Sequence, residues 1–167
     1  ILSTLVQAFV YAALIGAAEQ ALRRGMPLAS VASRHRTGCV EVKSCALHWV
    51  CMFPQHGPGK KHERRIVLES WQQAIVDAHP WEFVRGLIHS DGCRVTNWTT
   101  RLVGGERKRY EYPRYFFTNV SADIRRLCTE TFDKLGVEWT HCARHGRPYT
   151  ISVARKASVA LMDAHVG

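Results

Sequence analysis

Apolar residues recur along the chain in two rhythms, one near 3.6 residues that predicts helices and one of two that predicts strands. Val6, Phe9, Val10, Ala13, Leu14 and Ala17 keep the helical rhythm. They predict a first helix from about Thr4 to Arg24, stopped by Gly25 with Pro27 just beyond. Strands are expected at Leu28–Arg34 and Cys39–Ser44, joined by the basic turn RHRTG. In the second of these, Val40 and Val42 alternate with Glu41 and Lys43. The Pro- and Gly-rich stretch FPQHGPGKKHERR, with Lys60 and Lys61 towards its end, reads as a loop. A helix is expected from about Glu63, with Ile66, Val67, Ser70, Trp71, Ala74, Ile75 and Ala78 as its inner stripe.

Pro80 suits the first position of the next helix, and Glu82 the positive end of its dipole. Phe83, Val84, Leu87 and Ile88 form one apolar face, so WEFVRGLIHSDG reads as a helix and not as an alternating strand. Asp91 then becomes the last helical residue and Gly92 a left-handed cap. A long hairpin is predicted next: CRVTNWTTRLV, the turn region GGERK, and RYEYPRYFFTN. Ser121 caps a further helix whose stripe is Ile124, Leu127, Cys128, Thr131, Phe132 and Leu135, and Gly136 ends it. Strands at about Val137–Cys142 and Tyr149–Ala154 share a second basic turn, RHGRP, which contains Arg147. A last helix takes up Ala157–His165.

The second half thus runs helix, two strands, helix, two strands, helix, and the first half repeats only the latter part of that order. Both halves carry Arg-His in a turn before an apolar-polar-apolar strand, VEV or ISV. The echo suggests a duplicated α+β unit whose first copy lacks its front.

Charge narrows the partners. Lys and Arg total 23 against 14 Asp and Glu, a formal +9. Such a balance favours a polyanion, nucleic acid before an anionic membrane surface. The apolar opening residues lack a signal-peptide pattern and are interrupted by Ser3, Thr4 and Gln7, so no membrane anchor is expected. The six cysteines show neither a CxxC pair nor a compact disulfide framework, which points to reduced thiols in a cytoplasm. Cys45, His48, Cys51, His56 and His62 could supply a structural zinc module, but their spacing matches no common zinc pattern, so zinc is not expected.

Asp91 carries the candidate chemistry. A carboxylate at a helix C-terminus faces the negative end of the dipole, a repulsion that a bound cation offsets. Beside free carbonyls it forms a hard-oxygen site suited to Mg²⁺; the alternative is a solvated Asp before an ordinary cap. Gly86 and Ser90, both small and four residues apart, allow a second helix to approach closely. In the hairpin Arg94, Arg101, Arg107, Lys108, Arg109 and Arg114 outnumber Glu106 and Glu111. A two-stranded ribbon of this kind fits the major groove, where Arg and Lys read guanine and Asn97 could read adenine.

VRGLIHSDG resembles the LAGLIDADG motif that names a family of homing endonucleases. Gly86, Leu87, Ile88, Asp91 and Gly92 match it, Ser90 replaces another small residue and Val84 stands for Leu, whereas Arg85 and His89 depart from it. The resemblance implies an αββαββα unit over residues 79–167, its antiparallel sheet forming a DNA-binding saddle, and a partial first repeat over residues 1–78 that lacks its motif helix. It also implies sequence-specific binding of double-stranded DNA and Mg²⁺-dependent phosphodiester cleavage. In that family two motif helices, from one chain or a homodimer, pair so that their terminal acids share metal ions. Carried over, Asp91 would be the metal ligand and Gly86 and Ser90 the helix contact. Arg155, Lys156 and Lys43 are candidates for the basic residue that assists, and Lys60, Lys61 and Arg147 for further DNA contacts. Only one acid-bearing motif is present, since YAALIGAAE in the first helix has Ala18 where the acid belongs. Three arrangements fit: a truncated copy, a homodimer supplying Asp91 twice, or a non-cutting DNA-binding regulator on the same scaffold.

Overall fold

The computed structural model describes residues 2–6, 12–37, 39–55, 57–144 and 146–167. They fall into two compact units, Ile1–Pro58 and Gly59–Gly167. Residues 59–78, placed by the sequence pattern with the first repeat, group with the second unit.

The first unit runs β1 (Leu2–Val6), α1 (Ala12–Gly25), β2 (Val31–Arg36), β3 (Cys39–Ser44) and the short α2 (Trp49–Met52). Its antiparallel sheet has the order β1-β3-β2. The expected start of the first helix at Thr4 is therefore corrected. Thr4 lies in β1 opposite Val42, its backbone bonding to the neighbouring strand β3 in place of a helical turn. Of the expected stripe, Phe9 and Val10 lie outside the described residues, and Ala13 and Ala17 face solvent. Leu22, with Ile15 and Ala18, is what packs against Val40, Val42 and Trp49.

The second unit opens with a 3-10 turn (Lys61–Glu63) and an extended run. The helix expected from Glu63 starts only at Ser70. A capping box between Glu69 and Gln72 begins α3 (Ser70–Ala78) there, and the Ile66 N–H is held at 2.7 Å by the Asp123 carboxylate. That bond is also the largest cause of a lowered Asp123 pKa. The cap turns Gln72 inward and leaves Trp71 and Ile75 exposed, reversing the expected stripe.

From Pro80 the chain runs α4 (Pro80–Asp91), β4 (Gly92–Val103), β5 (Glu106–Thr118), α5 (Ala122–Lys134), β6 (Thr140–Arg144), β7 (Arg147–Val153) and α6 (Lys156–His165). The expected helix-strand-strand order holds throughout, with strand limits shifted by a few residues. The antiparallel sheet has the order β4-β5-β7-β6. Tyr115, Phe117, Ile151 and Val153 point to one side, where Val84 and Ile88 of α4, Cys128 and Phe132 of α5, and Val159 and Met162 of α6 enclose them. Ser121 caps α5 as its sequence predicts, its hydroxyl accepting from Ile124 N–H at 3.4 Å.

The two units share a topology. In the first, a strand, a helix and a hairpin give the order β1-β3-β2; in the second, β5, α5 and the β6–β7 hairpin give β5-β7-β6. The helices match in length, 14 and 13 residues. The first unit thus contains the counterpart of the second unit's latter part.

Gly92 differs from the expected left-handed cap. Its φ of −112° and ψ of 175° are extended, and its N–H bonds to the Ile88 carbonyl as α4 passes directly into β4. Glycine is needed there for space: a Cβ would meet Ile88 Cα and O at 2.8 Å and Phe116 O at 3.0 Å. At Gly86 a Cβ meets nothing within 4 Å. Gly92→Ala is expected to lower urea-unfolding stability by about 1–3 kcal/mol. Gly86→Ala should raise it by about 0.5–1 kcal/mol, the helix-interior cost of glycine. Equal losses at both positions would contradict this packing.

Candidate nucleic-acid interface

β4 and β5 pair over their full length, from Gly92 opposite Phe117 to Val103 opposite Glu106. The loop is only Gly104–Gly105, both with positive φ (61° and 86°), as a two-residue hairpin of this twist requires. Glu106, Arg107 and Lys108, expected in the turn, are strand residues.

Side chains alternate between the two sides of a strand, so this register sorts the basic residues. Tyr115 and Phe117 fix the side covered by helices. Arg94, Trp98, Arg107 and Arg109 share that side, the last three lying out along the ribbon where all are exposed. Asn97, Arg101, Lys108 and Arg114 take the opposite, open side. The ten residues expected at DNA are thus not one surface.

On the open side Arg101 stands directly opposite Lys108, and neither makes an ion pair among the described residues. Like charges in that position weaken a sheet. Further along the same side, beyond the Thr99–Tyr110 and Asn97–Tyr112 rows, Arg114 lies with its guanidinium carbon 5.1 Å from the Tyr112 ring centroid, and its buried Nε–H has no acceptor among the described residues. Asn97 pairs across the ribbon with Tyr112. Arg101, Lys108 and the Arg114 Nε–H are thus donors without an acceptor among the described residues.

Arg94 is engaged elsewhere. It grips Asp163 of α6 with two bonds of 2.7 and 2.9 Å, and the buried Tyr115 hydroxyl donates to the same carboxylate at 2.7 Å. Arg94 holds the Asp163 carboxyl below its ordinary range, while burial, then the Asp163 bond, pushes the Tyr115 phenol up to about 12. Lys60 pairs with Glu63 at 3.2 Å, Lys61 lies in the 3-10 turn, and Arg147 opens β7.

Asp91 does end α4, and it is exposed. One oxygen accepts from the Asn119 side-chain amide at 2.8 Å; among the described residues the other makes no hydrogen bond. Asn119 is itself fixed: its side-chain oxygen accepts from Ser121 N–H at 2.9 Å and its carbonyl from Arg125 at 2.6 Å. Sequence reasoning missed Asn119, although an Asn two residues before a Ser cap is a recognisable turn-former. Gly86 and Ser90 face solvent, Ser90 donating to the Leu87 carbonyl at 2.9 Å. Arg85, a departure from the motif, donates to the His165 carbonyl at the end of α6, and Trp81 stacks on the His165 ring at 4.2 Å.

Arg155 and Lys156 are not brought to Asp91. The row containing Gly92 crosses Phe117 and Ile151, and β7 runs away from Asp91 beyond it. Arg155 lies four residues further on, about 13 Å along the strand direction, and pairs with Glu138 at 2.8 Å. Lys43 belongs to the first unit and is exposed.

Among the described residues no three His, Cys, Asp or Glu side chains converge. Asp91 leaves one carboxylate oxygen without a hydrogen bond among the described residues, and a single carboxylate holds Mg²⁺ only together with water and phosphate oxygens. In the zinc-like cluster Cys45, His48, Cys51 and His62 are exposed, and His56 lies outside the described residues. No helix among the described residues is long and apolar enough to cross a membrane. No protein-family model matches the chain, and no curated protein matches it.

The Tyr115 phenol limits stability at alkaline pH. A phenol raised from 10.0 to about 12 stabilises the fold fully below pH 10, and that contribution is lost as pH rises towards 12. Tyr115→Phe is expected to flatten the alkaline loss of thermal stability across this window; a melting profile as steep as wild type would contradict it.

Proposed function

We propose that the second unit binds double-stranded DNA across the open side of its sheet. The Arg101–Lys108 pair carries this reading. Two cations directly opposite each other, with no acidic partner among the described residues, weaken the ribbon, and a polyanion relieves that repulsion. Arg114 and Asn97 stand on the same side, so guanine- and adenine-reading groups share a ribbon narrow enough for the major groove. Phosphate contacts from Lys108 and Arg101 would supply affinity without sequence choice. The likeness of VRGLIHSDG to the LAGLIDADG motif, and the αββαββα order that runs on from it, support the same reading and a saddle-shaped binding surface.

A second reading, Mg²⁺-dependent phosphodiester cleavage, rests on Asp91 and its unbonded oxygen. Mg²⁺ would neutralise charge developing at the phosphate and activate water. Asp91 would hold the ion, Asn119 would orient the carboxylate, and Gly86 and Ser90 would let the α4 helix of a homodimer partner or another chain bring a second acid. Without that acid the chain would act as a non-cutting regulator.

Arg101→Glu combined with Lys108→Glu is expected to weaken duplex binding about tenfold or more. It should flatten log K against log salt by a slope of about two, one unit for each lost phosphate contact. Asp91→Asn should bind duplex as wild type does and lose Mg²⁺-dependent nicking of supercoiled plasmid. Unchanged affinity and slope in the charge variant would overturn the open-side reading. Nicking that survives Asp91→Asn would overturn the second, and binding without nicking in both proteins would favour the regulator.

A further inference from the structure

The helix-side surface of the hairpin's outer half carries a different set of groups. Beyond the cover of the helices, Trp98 and Leu102 stand on this side, 58% and 72% exposed. Exposed apolar side chains grouped on one side of a ribbon, and not scattered singly, are the kind that mark interaction sites. The Arg109 guanidinium carbon lies 4.9 Å from the Trp98 ring centroid, and Glu111, directly opposite Trp98, holds Arg109 at 2.6 Å. The cation thus lies over the indole ring, with more than half of the Trp98 residue still open to solvent. Arg107, opposite Leu102, adds a second cation that makes no ion pair among the described residues.

An exposed indole with one arginine over its ring and a second cation on the same side has the composition of a base-stacking platform: the uncovered part of the ring takes a nucleobase and the guanidinium groups take its phosphates. Basic surroundings argue against an apolar protein segment as occupant. A duplex with its bases stacked inside offers Trp98 no ring face. We propose that Trp98, Arg107 and Arg109 bind single-stranded nucleic acid by stacking an unpaired base on Trp98, a site separate from the duplex surface on the open side. The ribbon would then hold duplex on one side and an unpaired strand on the other, as a protein acting where duplex gives way to single strand requires.

Fluorescence anisotropy of the full chain with a labelled oligothymidylate, and separately with a labelled duplex, tests this. Trp98→Ala is expected to weaken oligothymidylate binding about tenfold or more, with duplex binding kept. Trp98→Phe, which retains a stacking ring, should stay within about threefold of wild type. Oligothymidylate that fails to bind the wild type, or binds Trp98→Ala equally well, would overturn the proposal. So would equal losses in the Ala and Phe variants, which would mean that the indole acts through the fold. Duplex failing to bind while oligothymidylate binds would contradict the open-side reading and leave this one standing.

Discussion

Three helices bury one side of the β4-β5-β7-β6 sheet, and the rest of the second unit is arranged around that burial. Tyr115, Phe117, Ile151 and Val153 are each about 1% exposed beneath α4, α5 and α6. Strand side chains alternate, so fixing these four inward forces their neighbours outward, and a slip of one residue would exchange every group between the two sides. The covered core therefore decides, through the register of a ribbon that extends well beyond the helices, which cations share a surface. Arg101 and Lys108 fall together on the open side; Arg107 and Arg109 fall with Trp98 on the other. A single run of basic letters becomes two chemically distinct surfaces.

The helix that resembles the LAGLIDADG motif does structural and candidate functional work at different positions. Val84 and Ile88 enter the core, and Arg85 ties α4 to the end of α6. Gly92 lets the chain turn from helix to strand against Ile88 and Phe116. None of these roles needs an acid at position 91. What Asp91 adds is an exposed carboxylate with one oxygen steadied by Asn119, at a helix end whose dipole does not favour it. The shared topology of β1-β3-β2 and β5-β7-β6 makes the first unit a counterpart of the segment from β5 to β7. Among the described residues it has strands and a helix to match the β5–β7 segment, and none of its helices takes the place of α4.

Sequence patterning succeeded where local and tertiary forces agree. The Pro80 start, Asp91 as the last helical residue, the Ser121 cap, the α5 stripe and β3 all come from capping and periodicity. It failed where a distant or side-chain contact decides. Leu2–Val6 is apolar enough for either state, and a partner strand selects β. The stripe expected around Trp71 and Ile75 was displaced by the Glu69–Gln72 box and by the Ile66–Asp123 bond across 57 residues. The faces of the hairpin could not be read from alternation alone, because both contain aromatic and basic residues. Arg94 looked like its neighbours until its partner, Asp163, arrived from α6. The site was legible in residue types and not in their grouping.

Backbone amide chemical-shift mapping of the full chain during titration with duplex DNA tests the open-side claim most directly. The account predicts that shifts concentrate along β4 and β5 at Asn97, Thr99, Arg101, Lys108, Tyr112 and Arg114. Shifts confined to α4, α5 and α6, or to the first unit, with this row unmoved, would contradict it.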